Sequence, residues 1–317
     1  MSKVLIVNTV PPSENYLKIL TENGFEAEYC NNDEKEIVTK GQDAEAIIFS
    51  STRFTNELFD RLPNLKIISR TGIGIDTVDI DAATAHNVVV CNCASYGTYD
   101  VAEHTVALIL SLIHSTPRYT AAIKNENKWD PSAVPMAMRL SEKTLGIIGF
   151  GKIPRWICQM LKGFGIKISV YDPYADLKVA EELGVSCVSL DELFSESDII
   201  SVNAPLNDST YHMINSDSIQ KMKDGVLIVN TGRGPLVDEK ALIEALESGK
   251  VGGAALDVFE NEPFNEDCKL RYLPNVVLTP HVAWRSNEAM RDITIEVCEN
   301  IIDFYNGNPM KNRLNLK

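Results

Sequence analysis

Three residues, Arg233, Glu262 and His281, stand in this order in the second half of the chain, each shortly after an apolar run. A guanidinium group can bind a carboxylate through two parallel hydrogen bonds while it polarises a neighbouring carbonyl group. An imidazole that titrates near neutrality can give a proton to that carbonyl as it becomes an alcohol. A carboxylate beside the imidazole would hold its tautomer and favour its protonated form. Together these residue types indicate a site that reduces the carbonyl group of a carboxylate-bearing substrate.

Arg233 and His281 both come directly after predicted strands. The strand 226–231 precedes Gly232-Arg233-Gly234, and the strand 276–279 precedes His281. Ligands of open α/β sheets bind at the carboxyl ends of the strands, so both side chains are predicted at a ligand-binding edge. A structural salt bridge is the alternative for Arg233. The other four histidines fall in helical or turn contexts and are expected to pack or to face solvent: His86, His104, His114 and His212.

Two glutamates compete for the role of partner to His281. Glu260 and Glu262 both lie in the segment that follows the predicted strand 254–258. Pro263 restricts the backbone of the residue before it, which favours Glu262. Glu260 remains the alternative partner.

A glycine-rich turn, Gly149-Phe150-Gly151, follows the apolar run 144–148 and precedes a helix that is predicted to begin near Lys152. Such a turn presents free N–H groups and the positive end of a helix dipole to a pyrophosphate. Pro154 stands where the dinucleotide-binding fingerprint has a third glycine, and proline is tolerated there because it lies in the first helical turn. A plain strand-to-helix turn is the alternative interpretation.

Asp172 ends the next apolar run and lies shortly before Pro173. A carboxylate at the end of the second strand accepts hydrogen bonds from both ribose hydroxyls and repels a 2′-phosphate. The pattern therefore predicts NAD rather than NADP as the cofactor. The alternative is that Asp172 only opens the turn at Pro173.

Short β-branched runs alternate with helical stretches along the chain, which is typical of parallel sheets covered by helices on both faces. A helix predicted over 99–124 leads from a first unit into a second, and a last helix over 287–306 is predicted to return to the first. Both units are predicted to be α/β. The predicted strands are 3–8, 44–50, 65–70 and 88–92 in the first unit, and 145–149, 168–172, 199–204, 226–231, 254–258 and 276–279 in the second.

The composition argues against several classes of protein. With a net charge of −14, the chain lacks the basic surface that nucleic acid or an anionic membrane requires. No apolar run approaches the roughly 18 residues of a membrane span. The N-terminal run 3–8 is too short for a signal peptide, and the seven cysteines are odd in number and scattered, so a cytoplasmic protein with reduced thiols is expected. Cys91 and Cys93 resemble half of a metal site, but their strand context favours burial, and no metal is expected.

Along almost its whole length the chain resembles the D-isomer-specific 2-hydroxyacid dehydrogenases, in particular their phosphoglycerate dehydrogenase and C-terminal-binding-protein branch. Six segments carry the resemblance: 70–76, 149–153, 171–173, 230–239, 254–263 and 279–284. The resemblance implies two Rossmann-like α/β domains. A flavodoxin-like substrate-binding domain would be formed by residues 1–98 and 286–317, and an NAD-binding Rossmann domain over 99–285 would be inserted into it. It also implies homodimers formed through the NAD-binding domain.

The same resemblance implies the site. Arg233, Glu262 and His281 would be the catalytic residues of a hydride transfer between NAD(H) and a small 2-hydroxy or 2-keto acid, with His281 as general acid and base. The substrate-binding residues would be Arg70, Thr71, Gly72, Ile73, Gly74, Arg233 and Trp284, with the N–H groups of 71–74 at the carboxylate. The cofactor-binding residues would be Gly149, Gly151, Lys152, Ile153, Asp172, Ala204, Pro205, Thr231, Gly232, Asp257 and His281.

Departures from the family pattern bear on these expectations. Pro154 replaces the third glycine, and Asn203 replaces a histidine that is common before Ala204-Pro205. The printed chain ends at Lys317, so the regulatory domain of the longer phosphoglycerate dehydrogenases is expected to be absent. Arg70 is similar to the arginine of phosphoglycerate-specific members, whereas Trp284 is similar to the co-repressor branch, so the identity of the hydroxy acid stays open. An NAD(H)-sensing protein like the co-repressors is the alternative function, although the complete catalytic set argues against it.

Overall fold

The computed structural model describes residues 1–8, 14–132, 134, 136–263 and 265–316 of the 317-residue chain. The chain divides into two compact units. The first unit comprises Met1–Gly97 with Arg285–Lys317, and the second comprises Thr98–Trp284. Each boundary lies one residue earlier than the boundary predicted from the sequence.

The first unit contains a five-stranded parallel sheet. Its strands are β1 (Lys3–Asn8), β2 (Glu26–Asn31), β3 (Ala44–Phe49), β4 (Ile67–Arg70) and β5 (Val89–Cys91). The order β2-β1-β3-β4-β5 is that of flavodoxin-like folds. The helices between them are α1 (Glu14–Glu22), α2 (Glu34–Lys40), α3 (Asn56–Asp60) and α4 (Ile80–Ala85).

Residues of β1 alternate between the two hydrophobic cores of the first unit. Leu5 and Val7 belong to one buried cluster, and Val4 and Ile6 belong to the other. This alternation follows from the two-residue period of a strand, whose side chains point to opposite faces of the sheet. Because both faces are covered, the strand needs a continuous apolar run, which is why the sequence revealed it.

The second unit contains a seven-stranded parallel sheet. Two helices, α5 (Thr98–Ile113) and α6 (Thr116–Glu126), precede it. Its strands are β6 (Thr144–Ile148), β7 (Lys167–Tyr171), β8 (Ser186–Cys187), β9 (Ile199–Val202), β10 (Val226–Asn230), β11 (Val251–Leu256) and β12 (Val276–Leu278). The helices between them are α7 (Lys152–Leu161), α8 (Leu177–Leu183), α9 (Leu190–Glu196), α10 (Ser216–Lys221) and α11 (Glu239–Ser248). Short 3₁₀ helices cover Leu140–Glu142, Lys162–Phe164, Gly234–Leu236 and Lys269–Tyr272.

The strand order of this sheet is β12-β11-β10-β9-β6-β7-β8, with all pairs parallel. This is the Rossmann order extended by one strand at the β12 edge. Between β6 and β9 the order reverses, which creates the switch point where such sheets bind ligands. The predicted fold class, with one flavodoxin-like and one Rossmann-like unit, is confirmed.

The last helix, α12 (Asn287–Asn306), belongs to the first unit as predicted. Ile293, Val297 and Ile301 are buried in the same cluster as residues of β1, β3 and β4. Ser286 begins the helix by accepting a hydrogen bond from the Ala289 N–H at 2.9 Å, and Gly307 ends it in a left-handed conformation.

Two strands and one helix break were not predicted. Strands β2 and β8 lie at sheet edges, where one or both faces are open, so they lack the apolar run that marks a central strand. The single helix predicted over 99–124 is wrong, because it is interrupted after Ile113. Ser115 adopts a left-handed conformation with φ of 50°, and α6 then begins at Thr116 with Pro117 in its first turn. Within the described residues, no helix is long and apolar enough to cross a membrane.

Candidate active site

All the site residues predicted in the second unit follow the carboxyl ends of strands of its sheet. Because these strands are parallel, their carboxyl ends form one edge, and the side chains that follow them are brought to that edge. The residues are Gly149 and Gly151 after β6, Asp172 after β7, Ala204 and Pro205 after β9, Thr231 to Arg233 after β10, Asp257 and Glu262 after β11, and His281 after β12.

The glycine turn after β6 is shaped by close backbone contacts. Gly149 has a φ of 95°, and a Cβ atom there would lie 2.8 Å from the main-chain oxygen of Asn203. In contrast, a Cβ atom at Gly151 would have no atom within 4 Å. Gly151 is the N-cap of α7, so the N–H groups of Lys152 and Ile153 belong to a first turn that has no earlier helical carbonyl to bind. These N–H groups therefore suit an anion that approaches the open side of the turn.

Pro154 is buried in the first turn of α7, which begins at Lys152. Proline at this position removes an N–H group that has no partner inside the helix. The departure from the three-glycine pattern is therefore compatible with the strand–turn–helix geometry.

Asp172 supports this turn as well as its own. Its Oδ2 accepts a hydrogen bond from the Phe150 N–H at 2.7 Å, and its Oδ1 accepts one from the Tyr174 N–H at 2.8 Å. The turn-forming role considered as the alternative is therefore present. The bond to Phe150 also places the carboxylate beside the glycine turn, and each carboxylate oxygen keeps a lone pair for a ribose hydroxyl.

The segment after β9 lies against the same turn. The Asn203 N–H donates to the Ile148 carbonyl at 2.8 Å, and the Asn203 side chain donates to Ser201 Oγ at 2.8 Å. The Asn203 side chain is therefore directed to its own strand. Ala204 and Pro205 continue from there along the edge.

The loop that carries Arg233 is held by Asn230 and Gly234. The Asn230 side chain accepts from the Gly232 N–H at 3.0 Å and donates to the Arg233 carbonyl at 2.9 Å. A Cβ atom at Gly234 would lie 1.8 Å from the main-chain oxygen of Phe259, so only glycine allows this approach. The loop of Arg233 and the segment that carries Glu262 are thereby packed backbone to backbone.

Glu262 and His281 form a hydrogen-bonded pair. His281 Nδ1 lies 2.6 Å from Glu262 Oε2, and Glu262 Oε1 accepts from the Phe259 N–H at 3.0 Å. The side chains are 41% and 35% exposed, so both are accessible to a small molecule. Burial by itself would raise the pKa of Glu262, but the bonds from His281 and Phe259 and the charges of His281 and Arg233 outweigh it and lower that pKa. The carboxylate is therefore in its ionised form at neutral pH.

The rival glutamate has a different partner. Glu260 Oε1 lies 2.6 Å from His212 Nε2, although these atoms are not aligned for a hydrogen bond. Glu260 also exchanges bonds with Glu239: the Glu260 N–H donates to the Glu239 carboxylate at 2.6 Å, and the Glu239 N–H donates to Glu260 Oε1 at 3.3 Å. The structure thus pairs Glu262, not Glu260, with His281.

The turn of His281 is held by Asp257. His281 has a φ of 53°, and its N–H donates to the Asp257 carbonyl at 2.8 Å. The Asp257 carboxylate has no exposed surface and accepts from the Val282 and Ala283 N–H groups, each at 2.9 Å. The buried Asp257 carboxylate therefore holds the backbone that follows His281.

Helix α5 contributes two residues that the sequence did not mark. His104 Nε2 lies 3.1 Å from Thr279 Oγ1, and Thr105 Oγ1 lies 2.7 Å from Thr231 Oγ1. His104 was expected to be a packing or surface residue. A polar residue within an apolar helix was the signal that could have pointed to it, but the helix pattern does not show which strand end it meets.

Trp284 is attached to the histidine turn through its indole. The Trp284 Nε1–H donates to the His281 carbonyl at 3.0 Å. This contact places the indole next to the backbone of His281.

The predicted substrate loop of the first unit uses part of its own hydrogen-bonding capacity. The Thr71 N–H donates to the Phe49 carbonyl at 2.8 Å, and the Gly72 N–H donates to the Arg70 carbonyl at 3.0 Å. Arg70 Nε donates to the Ser50 carbonyl at 3.0 Å, and its Nη1 contacts the Gly74 carbonyl. The loop is thus shaped by Arg70, and within residues 71–74, all of which the structure describes, the N–H groups of Ile73 and Gly74 make no hydrogen bond.

Cys91 and Cys93 are both buried and free. Burial raises the pKa of the Cys91 thiol to about 12 and raises that of Cys93 further. Both thiols are therefore protonated at neutral pH.

The chain is similar to a well-defined family of proteins. Residues 106–283 match the family model described as D-isomer specific 2-hydroxyacid dehydrogenase, NAD binding domain. This match covers the glycine turn, Asp172 and all three residues of the Arg233, Glu262 and His281 set. The open Gly151 turn and the adjoining Asp172 carboxylate fit a dinucleotide with a free ribose.

Individual relatives share sequence along most of the chain. A D-3-phosphoglycerate dehydrogenase of Archaeoglobus fulgidus is 38% identical over 99% of this chain and 59% of its own length. A hydroxypyruvate reductase of Thermotoga maritima is 44% identical over 80% of this chain and 82% of its own length. The chain spans between 42% and 60% of the length of the D-3-phosphoglycerate dehydrogenases that it matches here.

Known structures show the same likeness. The crystal structure of a D-lactate dehydrogenase from Aquifex aeolicus, complexed with NAD and lactic acid, is 32% identical and superposes with a TM-score of 0.88 over 98% of both chains. Sequence and architecture therefore agree. The chain therefore belongs to the D-isomer specific 2-hydroxyacid dehydrogenase family and contains its NAD-binding domain.

Proposed function

We propose that the protein is an NAD-dependent oxidoreductase that interconverts a small D-2-hydroxy acid and the corresponding 2-keto acid. The observation that carries this proposal is the 2.6 Å bond between His281 Nδ1 and the ionised Glu262, on the sheet edge that also carries Arg233. The names of the relatives, which include phosphoglycerate dehydrogenase, hydroxypyruvate reductase and glyoxylate reductase, support the substrate class.

In the proposed reaction, His281 is the general acid and base. Its Nδ1 is bound to Glu262, so Nε2 is the nitrogen that gives a proton to the substrate oxygen during reduction and takes it back during oxidation. The negative charge of Glu262 stabilises the imidazolium form and holds the ring. Arg233 binds the substrate carboxylate and polarises the carbonyl group that is reduced.

The cofactor would lie along the carboxyl edge of the second unit. The N–H groups of Lys152 and Ile153 would bind its pyrophosphate, and Asp172 would bind its adenosine ribose. Ala204 and Pro205 would lie near the adenine end, with Thr231, Gly232 and the backbone around His281 at the nicotinamide side. When bound, NAD(H) supplies or accepts the hydride at the carbonyl carbon.

For the first unit we propose that Ile73 and Gly74 offer their N–H groups to the substrate carboxylate. Arg70 shapes this loop through its bonds to the Ser50 and Gly74 carbonyls. Trp284 is proposed to limit the size of the substrate side chain.

We also propose a cytoplasmic homodimer formed through the second unit. The seven free cysteines support a reducing compartment. The large exposed side chains of Trp129 and Met136, which are 90% and 96% exposed, support an interface in the second unit. Sedimentation velocity of wild type and Trp129→Ala tests the dimer, which is expected to be weakened in the variant.

Loss of NADH absorbance across a panel of 2-keto acids tests the proposed activity. The panel includes pyruvate, hydroxypyruvate, glyoxylate, phosphohydroxypyruvate and bulkier apolar acids. The wild type is expected to turn over at least one acid, and Arg233→Ala is expected to lose most of that activity. Arg139→Ala is the control and is expected to keep full activity, because Arg139 is exposed and pairs with Glu142. If the protein bound NADH but turned over none of these acids, the proposed enzymatic activity would be contradicted. That result would favour an NAD(H)-sensing protein.

A further inference from the structure

The His281 turn rests on a chain of hydrogen bonds that begins on helix α5. Thr279 Oγ1 donates to Asp257 Oδ1 at 2.5 Å. A threonine hydroxyl has one proton, so it cannot also donate to His104 Nε2 at 3.1 Å. His104 must therefore be the donor in that contact, with a proton on Nε2.

This series of hydrogen bonds ends at the residues beside His281. Asp257 Oδ1, which receives the Thr279 proton, also accepts from the Val282 N–H, and Asp257 Oδ2 accepts from the Ala283 N–H. A left-handed conformation, as at His281, is uncommon outside glycine and persists where the surrounding structure holds it. Asp257 supplies that hold in two ways. Its main-chain carbonyl accepts from the His281 N–H, and its buried carboxylate accepts from the two N–H groups that follow.

The position of His104 suits a directing role. Its side chain is 25% exposed, and its Nε2 lies 3.7 Å from Asp257 Oδ1, too far for a direct hydrogen bond. The imidazole therefore acts on Asp257 through Thr279. By donating to Thr279 Oγ1, it leaves the hydroxyl proton directed at the carboxylate.

We propose that His104 is a positioning residue for His281, acting through Thr279 and Asp257; this rests on the proposed function, in which His281 transfers the proton. Without a donor at position 104, the Thr279 hydroxyl is free to rotate away from Asp257, and the turn of His281 loses one of its supports. The direction of the imidazole then varies, and fewer bound substrates lie in line for proton transfer.

A pair of variants tests this inference. His104→Leu removes the donor, and His104→Gln replaces it with an amide N–H near the position of Nε2. We expect kcat to fall about tenfold in His104→Leu, less than the ~10²-fold that a misplacement of about 1 Å can cause, with little change in KM or in NADH affinity. His104→Gln is expected to restore most of the loss, and His114→Leu, which changes an exposed histidine just beyond the same helix, is expected to match wild type.

Wild-type kcat in His104→Leu, or equal losses in His104→Leu and His104→Gln, would overturn the inference. ¹⁵N NMR of the unmodified protein gives an independent measurement that requires no turnover and no variant. A proton on His104 Nε2 is expected, and an unprotonated Nε2 would overturn the inference. If no keto acid is turned over but Nε2 is protonated and the Val282 and Ala283 amide signals move in His104→Leu only, the proposed function fails while the positioning chain stands.

Discussion

The second unit contains two histidine–glutamate pairs with the same nitrogen–oxygen distance. His281 and Glu262 lie 2.6 Å apart, and so do His212 and Glu260. Both histidines have left-handed backbones, with φ of 53° and 49°. A search for such pairs by distance alone would rank the two as equals.

The pairs differ in the ring nitrogen that they use. His281 Nδ1 forms an aligned hydrogen bond with Glu262, so Nε2 remains available to a substrate. His212 turns Nε2 toward Glu260, without alignment, and its ring stacks on Tyr211 at 4.0 Å between centroids. The Glu262 bond to Nδ1 thus leaves Nε2 of His281 open to a substrate, whereas Nε2 of His212 faces its glutamate.

The pairs also differ in what surrounds the carboxylate. Glu262 lies near the charge of Arg233, which helps to lower its pKa. Glu260 instead bonds to Glu239, whose pKa is raised by burial and by the charges of Glu260 and Glu262. The charge of Arg233 thus helps to keep Glu262 ionised beside His281, whereas Glu260 is hydrogen-bonded to Glu239 at the start of α11.

Replacing the two histidines in turn gives the largest expected contrast. His281→Ala should lower kcat by roughly 10²–10⁴, because the reaction loses its general acid. His212→Ala, the matched control, should keep kcat near that of wild type. Steady-state kinetics with NADH binding measured in parallel decides the matter, and near-normal turnover in His281→Ala would contradict the assigned role.

Replacing the two glutamates sharpens the comparison. Glu262→Gln should lower kcat about 10- to 100-fold and move the alkaline fall of keto-acid reduction to lower pH, because the imidazolium loses its carboxylate partner. Glu260→Gln should leave the shape of the pH–rate profile unchanged. If Glu260→Gln moved the profile and Glu262→Gln did not, the pairing would be reversed in solution.

Gly234→Ala tests the close backbone contact between Gly234 and Phe259, the residue just before the segment that carries Glu260 and Glu262. A Cβ atom would lie 1.8 Å from the Phe259 carbonyl, just before Glu260, so the segment must shift. We expect a loss of about 1–3 kcal/mol in the free energy of unfolding, as for other overpacked sites. Urea unfolding measures it, with Gly163→Ala as a control whose Cβ would meet nothing within 4 Å. Unchanged stability in Gly234→Ala would show that the loops are not packed this tightly.

The smallest effect concerns acid stability. The pKa of Glu262 is lowered on folding, so the stability that its ionised form contributes is complete above its unfolded pKa and is lost as pH falls through the lower, folded pKa. Glu239 has the opposite sign: its pKa is raised on folding, so its ionisation destabilises the fold as pH rises through the two values. Glu262→Gln should therefore flatten the loss of stability on acidification, and Glu239→Gln should make it steeper, each by less than about 1 kcal/mol because both sites are partly exposed. Urea midpoints from acid to neutral pH measure both slopes, and equal slopes in the two variants would contradict this assignment.

Strands with a continuous apolar run were predicted well, and strands without one, β2 and β8, were not. β1 and α12 begin and end at the predicted residues, because a strand buried on both faces and a long helix each require a periodic apolar pattern. β2, with one buried residue, and β8, with two exposed ones, have no such pattern. The break at Ser115 depends on a single left-handed residue, which helical spacing does not reveal.

The sequence by itself determined which chemical groups follow which strand. Arg233, Asp172 and His281 are adjacent in the chain to apolar runs, and parallel strands carry whatever follows them to one edge. Tertiary structure decided which glutamate meets His281, which ring nitrogen is bound, and that His104 reaches Thr279 across more than 170 residues of chain. These outcomes depend on directions of side chains and on loop packing at Gly234, which are properties of contacts between distant segments and leave no period in the sequence.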